Sequence, residues 1–165
     1  ILYLSEFNRK FITRLLKDQD LEFHSLIEVQ AFVYLYKDHP LAGESSIRFD
    51  QLKEYPALFF EQKNSSFYYF EEIPSTNDYE RMIHTSDRAT NLNLMVGLNA
   101  YTLCSGIICE ELNGEDFLAI PFEDDAENRN SRMEIGYITK KHSILSQMGE
   151  RYIEELENYL ADLKN

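Results

Sequence analysis

Six hydroxyl- or carboxyl-bearing residues stand where short apolar, strand-like runs give out. Ser65 and Ser66 follow the run 57–60, Thr85, Asp87 and Thr90 stand at or past the end of 80–85, and Ser105 follows 101–104. Where parallel strands hand the chain to helices, the first-turn N–H groups are unpaired and carry the positive end of the helix dipole. Hydroxyls set among such amides suit a small polar or anionic molecule beyond the carboxyl ends of the strands. The same residue types also serve as helix N-caps, where they add about 0.5–2 kcal/mol of stability and touch no ligand. Asp87 reads first as a cap, whereas Ser65, Ser66, Thr85 and Ser105 fit either role. Arg88 and Lys63 can set a positive charge against a carboxylate, or can simply be solvated.

The sequence carries no recognisable catalytic set. The chain has no Gly-x-Ser-x-Gly elbow, no phosphate-binding P-loop and no Gly-x-Gly-x-x-Gly after a strand. Glu110-Glu111 and Asp124-Asp125 are adjacent acids, whose side chains diverge and usually form a solvated face. His84 needs a partner that the sequence does not name, and His39, just before Pro40, suits a turn. The four histidines, His24, His39, His84 and His142, are scattered, and Cys104 and Cys109 are too few for a disulfide framework or a zinc site. Both cysteines read as reduced and half-buried; no metal, no cofactor and no enzymatic activity are expected. The aromatic run Phe67-Tyr68-Tyr69-Phe70 is either core and edge packing or a partner surface.

Charge bounds the partners. Acidic side chains outnumber basic ones 29 to 16, for a formal net charge of −13, and no basic stripe interrupts them. Nucleic-acid binding rests on Lys and Arg neutralising phosphates, so this chain is not expected to bind DNA by itself. No apolar run approaches the roughly 18–20 residues that span a bilayer, and no signal peptide is visible. At 165 residues, 44% of them apolar, the chain can bury a sizeable core. It opens on Ile1-Leu2-Tyr3-Leu4 as though in mid-strand, and is expected to be a fragment.

The elements that must position these residues alternate between strands and short helices, the signal of an α/β fold. Residues 1–4 read as a strand, and Ser5 caps a helix carrying Phe7, Phe11, Ile12, Leu15 and Leu16. A strand over 31–36 stops at Lys37-Asp38-His39-Pro40. Ser45 or Ser46 is expected to cap a helix over 47–53, ended by Tyr55-Pro56. The strand 57–60 leads through a polar turn to a helix over 67–72. After the strand 80–85, Ser86 or Asp87 caps a helix over 88–98, which Gly97 and Asn99 bring to its end. The strand 101–104 precedes a brief helix after Ser105, then come strands over 117–122 and 133–139. A closing helix from Ser146 aligns Met148, Tyr152, Leu156, Tyr159 and Leu163.

The segment Tyr34-Leu35-Tyr36-Lys37-Asp38-His39-Pro40-Leu41-Ala42 resembles the place in LysR-type transcription regulators where a strand ends in a His-Pro-Leu-Ala turn. The order of 47–52, 56–60, Met82 to Ile108, 133–139 and the helix after Ser146 also matches that family, over essentially the whole chain. The resemblance implies a type II periplasmic-binding-protein-like α/β fold of two Rossmann-like lobes, lobe two complete and lobe one partial. Residues 1–30 would belong to lobe one, 31–131 to lobe two with its crossover strand, and 132–165 to the return strand and closing helix. It further implies a small-molecule effector in the inter-lobe cleft, faced by Ser65, Ser66, Thr85, Asp87, Thr90 and Ser105, homo-oligomers formed through effector domains, and a cytoplasmic location. DNA would be reached only through an N-terminal winged helix-turn-helix that is absent here. The family's peroxide sensors carry a reactive cysteine in the turn matching Asn64-Ser65-Ser66, and this sequence has none there. A solute-binding lobe serving transport, or an enzyme on the same fold, are the rival readings.

The charge balance has a direct test. In a gel-retardation assay at physiological salt the chain is expected to leave duplex DNA unshifted; sequence-dependent retention at sub-micromolar protein would overturn this.

Overall fold

The computed structural model describes residues 1–61, 79–108, 114–123 and 132–162. The chain opens with β1 (Leu2–Ser5), which runs straight into α1 (Glu6–Asp18). A reciprocal capping box makes this possible: the Ser5 backbone N–H donates to Asn8 Oδ1 at 2.8 Å, and the Asn8 N–H donates to Ser5 Oγ at 3.4 Å. Ile12 and Leu16 of α1 bury against Leu4, as the helical spacing predicts, while Phe11 stays exposed.

Next comes β2 (Leu21–Gln30), a ten-residue strand that the sequence reading did not assign. It pairs antiparallel with β9 (Arg132–Lys140), which also pairs with β1, giving a three-stranded sheet in the order β1-β9-β2. A bulge between Ser25 and Ile27 shifts the register. Because side chains alternate with period two, one inserted residue sends every later side chain to the other face. Leu21 and Phe23 accordingly pack with α1, whereas Ile27 and Val29 join the main core. Across from the bulge, a Cβ built on Gly136 would lie 2.1 Å from the His24 carbonyl oxygen and 2.5 Å from the Phe23 ring, so only glycine fits there.

The chain leaves this sheet through Ala31, fully buried, and becomes β3 (Phe32–Tyr36) of the second sheet. The Phe122 N–H donates to the Ala31 carbonyl at 3.0 Å, and Gln30 Nε2 donates to the Phe122 carbonyl at 2.9 Å, so the crossing is pinned on both sides. β3 lies antiparallel between β7 (Thr102–Cys104) and β8 (Phe117–Glu123). At the far side β8 pairs in parallel with the two-residue β4 (Ile47–Arg48). Beyond β7, a parallel bridge from Tyr101 to Ala57 joins β5 (Ala57–Phe60), which pairs in parallel with β6 (Met82–Thr85). Ile27, Val33, Leu35, Leu103, Phe122 and Ile135 belong to one buried cluster, which runs through the crossing from one sheet to the other.

Three further stretches differ from expectation. In place of a helix over 47–53, β4 precedes a single turn, α2 (Phe49–Leu52). Ser46 does not cap it; its hydroxyl donates to the Glu123 carboxylate, and Gln51 Oε1 takes the Arg48 N–H at 2.9 Å instead. Pairing with β8 and burial of Ile47 outweigh the helical preference of so short a segment. The last helix, α4 (Gln147–Asp162), is capped by Ser146 Oγ, which accepts the Gly149 N–H at 3.1 Å. Its inward stripe is Ile153, Leu156 and Leu160 against β2, so Met148 and Tyr152 point outward, 82% and 61% exposed. Helices over 67–72 and the residue Leu163 lie outside the described residues, and Ser105–Ile108 is irregular rather than helical.

The His-Pro turn is held by its histidine. His39 is buried against Tyr55; its Nδ1 accepts the Leu41 N–H at 3.0 Å and its Nε2 donates to the Asn99 carbonyl at 3.0 Å. A carbonyl only accepts and an amide only donates, which fixes the neutral tautomer with its proton on Nε2. Burial pushes its pKa down, partly offset by the bond to Asn99. A histidine whose folded pKa lies below its unfolded one gives stability that is complete above about pH 6.5 and lost as pH falls towards the folded value. Urea unfolding of the chain should therefore show stability declining with acid from about pH 6.5. His39→Ala should cost about 1–3 kcal/mol at neutral pH and flatten that slope; an unchanged slope would refute the assignment.

Candidate functional site

β5, β6 and β7 run parallel, so their carboxyl ends, at Phe60, Thr85 and Cys104, share one edge of the second sheet. Backbone bonds tie them side by side: the Glu61 N–H donates to the Thr85 carbonyl at 2.7 Å and the Leu58 N–H to the Tyr101 carbonyl at 2.8 Å. The turn after β7 requires a glycine. Gly106 has φ +74°, and a Cβ there would fall 2.5 Å from the Phe32 ring. That close approach seats the turn on the first residue of β3, so the edge adjoins the crossing between the two sheets.

The helix that starts from this edge is α3 (Arg88–Leu98). Asp87 caps it with both oxygens: Oδ1 accepts the Thr90 N–H at 2.8 Å and Oδ2 accepts the Thr90 hydroxyl at 2.7 Å. These two donors hold the Asp87 carboxyl below the usual carboxylate range. Thr85 is buried and donates its hydroxyl to Asn91 Oδ1 at 2.5 Å. Ser105 is half-buried, and its hydroxyl accepts the Ile107 N–H at 3.4 Å. Thr85, Asp87, Thr90 and Ser105 thus lie along the edge, with their side chains engaged in the local fold. Ser65 and Ser66 lie outside the described residues, as do Lys63, Cys109 and both adjacent acid pairs.

Behind the edge, between α3 and the sheet, a cavity of about 390 Å³ opens. Small-molecule sites run from about 300 to 1,000 Å³ and combine apolar walls with a few polar groups. Here Leu92 and Met95 of α3 face Ile107 and Ile108, with Arg88 and Tyr34 also on the wall. Tyr34 is buried, its ring stacked on Phe117 at 5.6 Å. Its hydroxyl takes no hydrogen bond among the described residues. Burial raises the Tyr34 pKa, and Arg88 opposes that shift through its charge and through the approach of its guanidinium to the hydroxyl. Cys104, also on the wall, is a free thiol pushed up to about 11 by burial and therefore neutral at physiological pH. The sequence reading singled out Arg88 and missed Tyr34, Asn91 and Thr102, which share this wall. The available signal was a tyrosine inside a buried strand, whose hydroxyl must find a partner somewhere.

No group of three or more His, Cys, Asp or Glu side chains able to hold a metal occurs among the described residues. His84 is exposed beside Phe59, with ring centroids 5.8 Å apart and no ion pair to a described carboxylate. Among the described residues no helix is long and apolar enough to cross a membrane.

A three-stranded sheet joined through Ala31 to a second sheet, with the α3 N-terminus at the carboxyl edge of the latter, fits a ligand-binding domain of the type II periplasmic-binding-protein fold. The chain belongs to the LysR substrate binding domain family, whose model matches residues 10–161, and its role is effector sensing in a LysR-type regulator. Solved structures agree on the fold. HinK, a LysR family transcriptional regulator from Pseudomonas aeruginosa, superposes with a TM-score of 0.59 at 14% identity over 98% of this chain. The oxidised form of OxyR gives 0.58 at 15% identity over 95% of this chain and 69% of its own. The effector-binding domain of QuiR, in complex with shikimate, gives 0.51 at 15% identity over 92% of this chain and 77% of its own. The chain spans 52% of the length of HinK. No curated protein sequence matches it.

Proposed function

We propose that this chain is a cytoplasmic, non-enzymatic sensing domain that binds a small polar or anionic effector where lobe two faces lobe one. The lobes would divide at the boundaries read from the sequence, 1–30 and 132–165 against 31–131. One observation carries the reading: β5, β6 and β7 end together on an edge that adjoins the crossing, in a chain whose sequence matches the LysR domain. Because Asp87, Thr90 and Thr85 are engaged with one another and with Asn91, they would serve an effector through the backbone amides and dipole of α3. Ser105 and the Ser65-Ser66 loop would supply hydroxyls. An effector bound there regulates only through different affinities for two arrangements of the lobes or subunits. In the whole regulator, DNA would be contacted by a winged helix-turn-helix outside this chain, and effector domains would pair.

The chain should gain thermal stability with at least one member of a panel of small organic acids. The gain should reach about 2.7 kcal/mol at a hundredfold excess over Kd. If no panel member stabilises the chain or alters DNA binding by the full-length regulator, the sensing role is wrong.

Pairing has its own motive. Ile144, Met148 and Tyr152 are exposed at 96%, 82% and 61% around the start of α4, and exposed apolar groups gathered in this way mark interaction surfaces. Sedimentation velocity should show association that weakens when Met148 and Tyr152 are both changed to Ser; a concentration-independent monomer would count against it.

A further inference from the structure

The wall of the cavity beneath α3 carries both polar and apolar side chains. Arg88 and Tyr34 are among the polar ones, with Asn91 and Thr102. Tyr34 is only 6% exposed, its ring is held on Phe117, and its hydroxyl makes no well-formed hydrogen bond among the described residues, with the Arg88 guanidinium beside it. A buried hydroxyl without a bond is unfavourable, and native proteins rarely leave one so unless something fills the place. The apolar part of the wall is Leu92, Met95, Ile107 and Ile108, which offer a ligand no hydrogen bond.

Charge selects the occupant. The protein carries a net charge of −13, yet no Asp or Glu lines this cavity among the described residues, and its cation is Arg88. The Cys104 thiol on the same wall is neutral and adds no repulsion. One guanidinium and one phenolic O–H satisfy the two oxygens of a single carboxylate. A dianion would bring a second charge into the cavity with nothing to meet it, and a cation would face Arg88.

We propose that this cavity takes a small monocarboxylic acid with an apolar body, its carboxylate held between Arg88 and Tyr34 and its body against Leu92, Met95, Ile107 and Ile108. The inference rests on the sensing role proposed above and names the ligand class for it. The edge loops then form the mouth of the site, and the ligand's apolar part reaches inward under α3.

Calorimetric titration with 3-phenylpropionate, its amide and acetate tests this. The acid should bind, the amide at least about tenfold more weakly, and acetate not measurably, since charge and apolar body are both required. Tyr34→Phe and Arg88→Gln should each weaken binding of the acid about tenfold. Tyr34→Phe should leave the melting temperature of the empty protein unchanged or raised, because it removes a hydroxyl that had no bond. Equal binding of acid and amide, undiminished binding to Tyr34→Phe, or no binding of the acid would each overturn the proposal. An organic acid whose binding survives both changes but is lost in Ser105→Ala would refute the cavity and leave the sensing role standing.

Discussion

The structure depends on one constraint: the chain passes from one sheet to the other through a fully buried alanine. Ala31 is fully buried, and its carbonyl is taken by the Phe122 N–H. Unpaired backbone groups cannot be left in a core, so the crossing exists only where both sheets supply partners at once. Gln30 adds its own bond to Phe122 from the lobe-one side. As a result β2, β3 and β8 are fixed together, and the buried cluster is continuous across what would otherwise be two small, marginal cores.

That fixed crossing gives the carboxyl edge of lobe two its setting. Phe32, the first residue past Ala31, receives the Gly106 turn, and the Gly106 turn follows β7. The three strand ends, the α3 amides and the cavity behind them are therefore positioned by packing against the crossing. Electrostatics then works locally against the global trend. An acidic protein repels anions at long range, but screening confines that repulsion to about 8–10 Å at physiological ionic strength. A single guanidinium and a helix N-terminus decide what happens within that distance.

Features set by contiguous residues were legible in the sequence. The Ser5 cap, the Asp87 cap and the His39-Pro40 turn each follow from side-chain atoms reaching backbone a few residues away. β2 was legible only in part: Leu21, Phe23, Ile27 and Val29 alternate with Glu22, His24, Glu28 and Gln30, but Ser25-Leu26, where the bulge lies, breaks the run into two short halves. The α4 stripe was misread because Met148 and Tyr152 keep helical spacing as well as Ile153, Leu156 and Leu160 do. Periodicity finds an apolar face but does not say which of two faces meets the core. The cavity was invisible for a third reason. Tyr34 and Arg88 are far apart in sequence, and whether a tyrosine hydroxyl is satisfied depends on every element around it.

Gly136 carries a consequence for heredity. Its hydrogen atom lies where any side chain would strike the His24 carbonyl, on a strand that pairs with both neighbours in its sheet. Every single-base change that alters a glycine codon gives a residue bearing a Cβ, or a stop. The position therefore has no neighbouring sequence that keeps the fold, and a lineage can vary there only if the opposite strand has first been rebuilt.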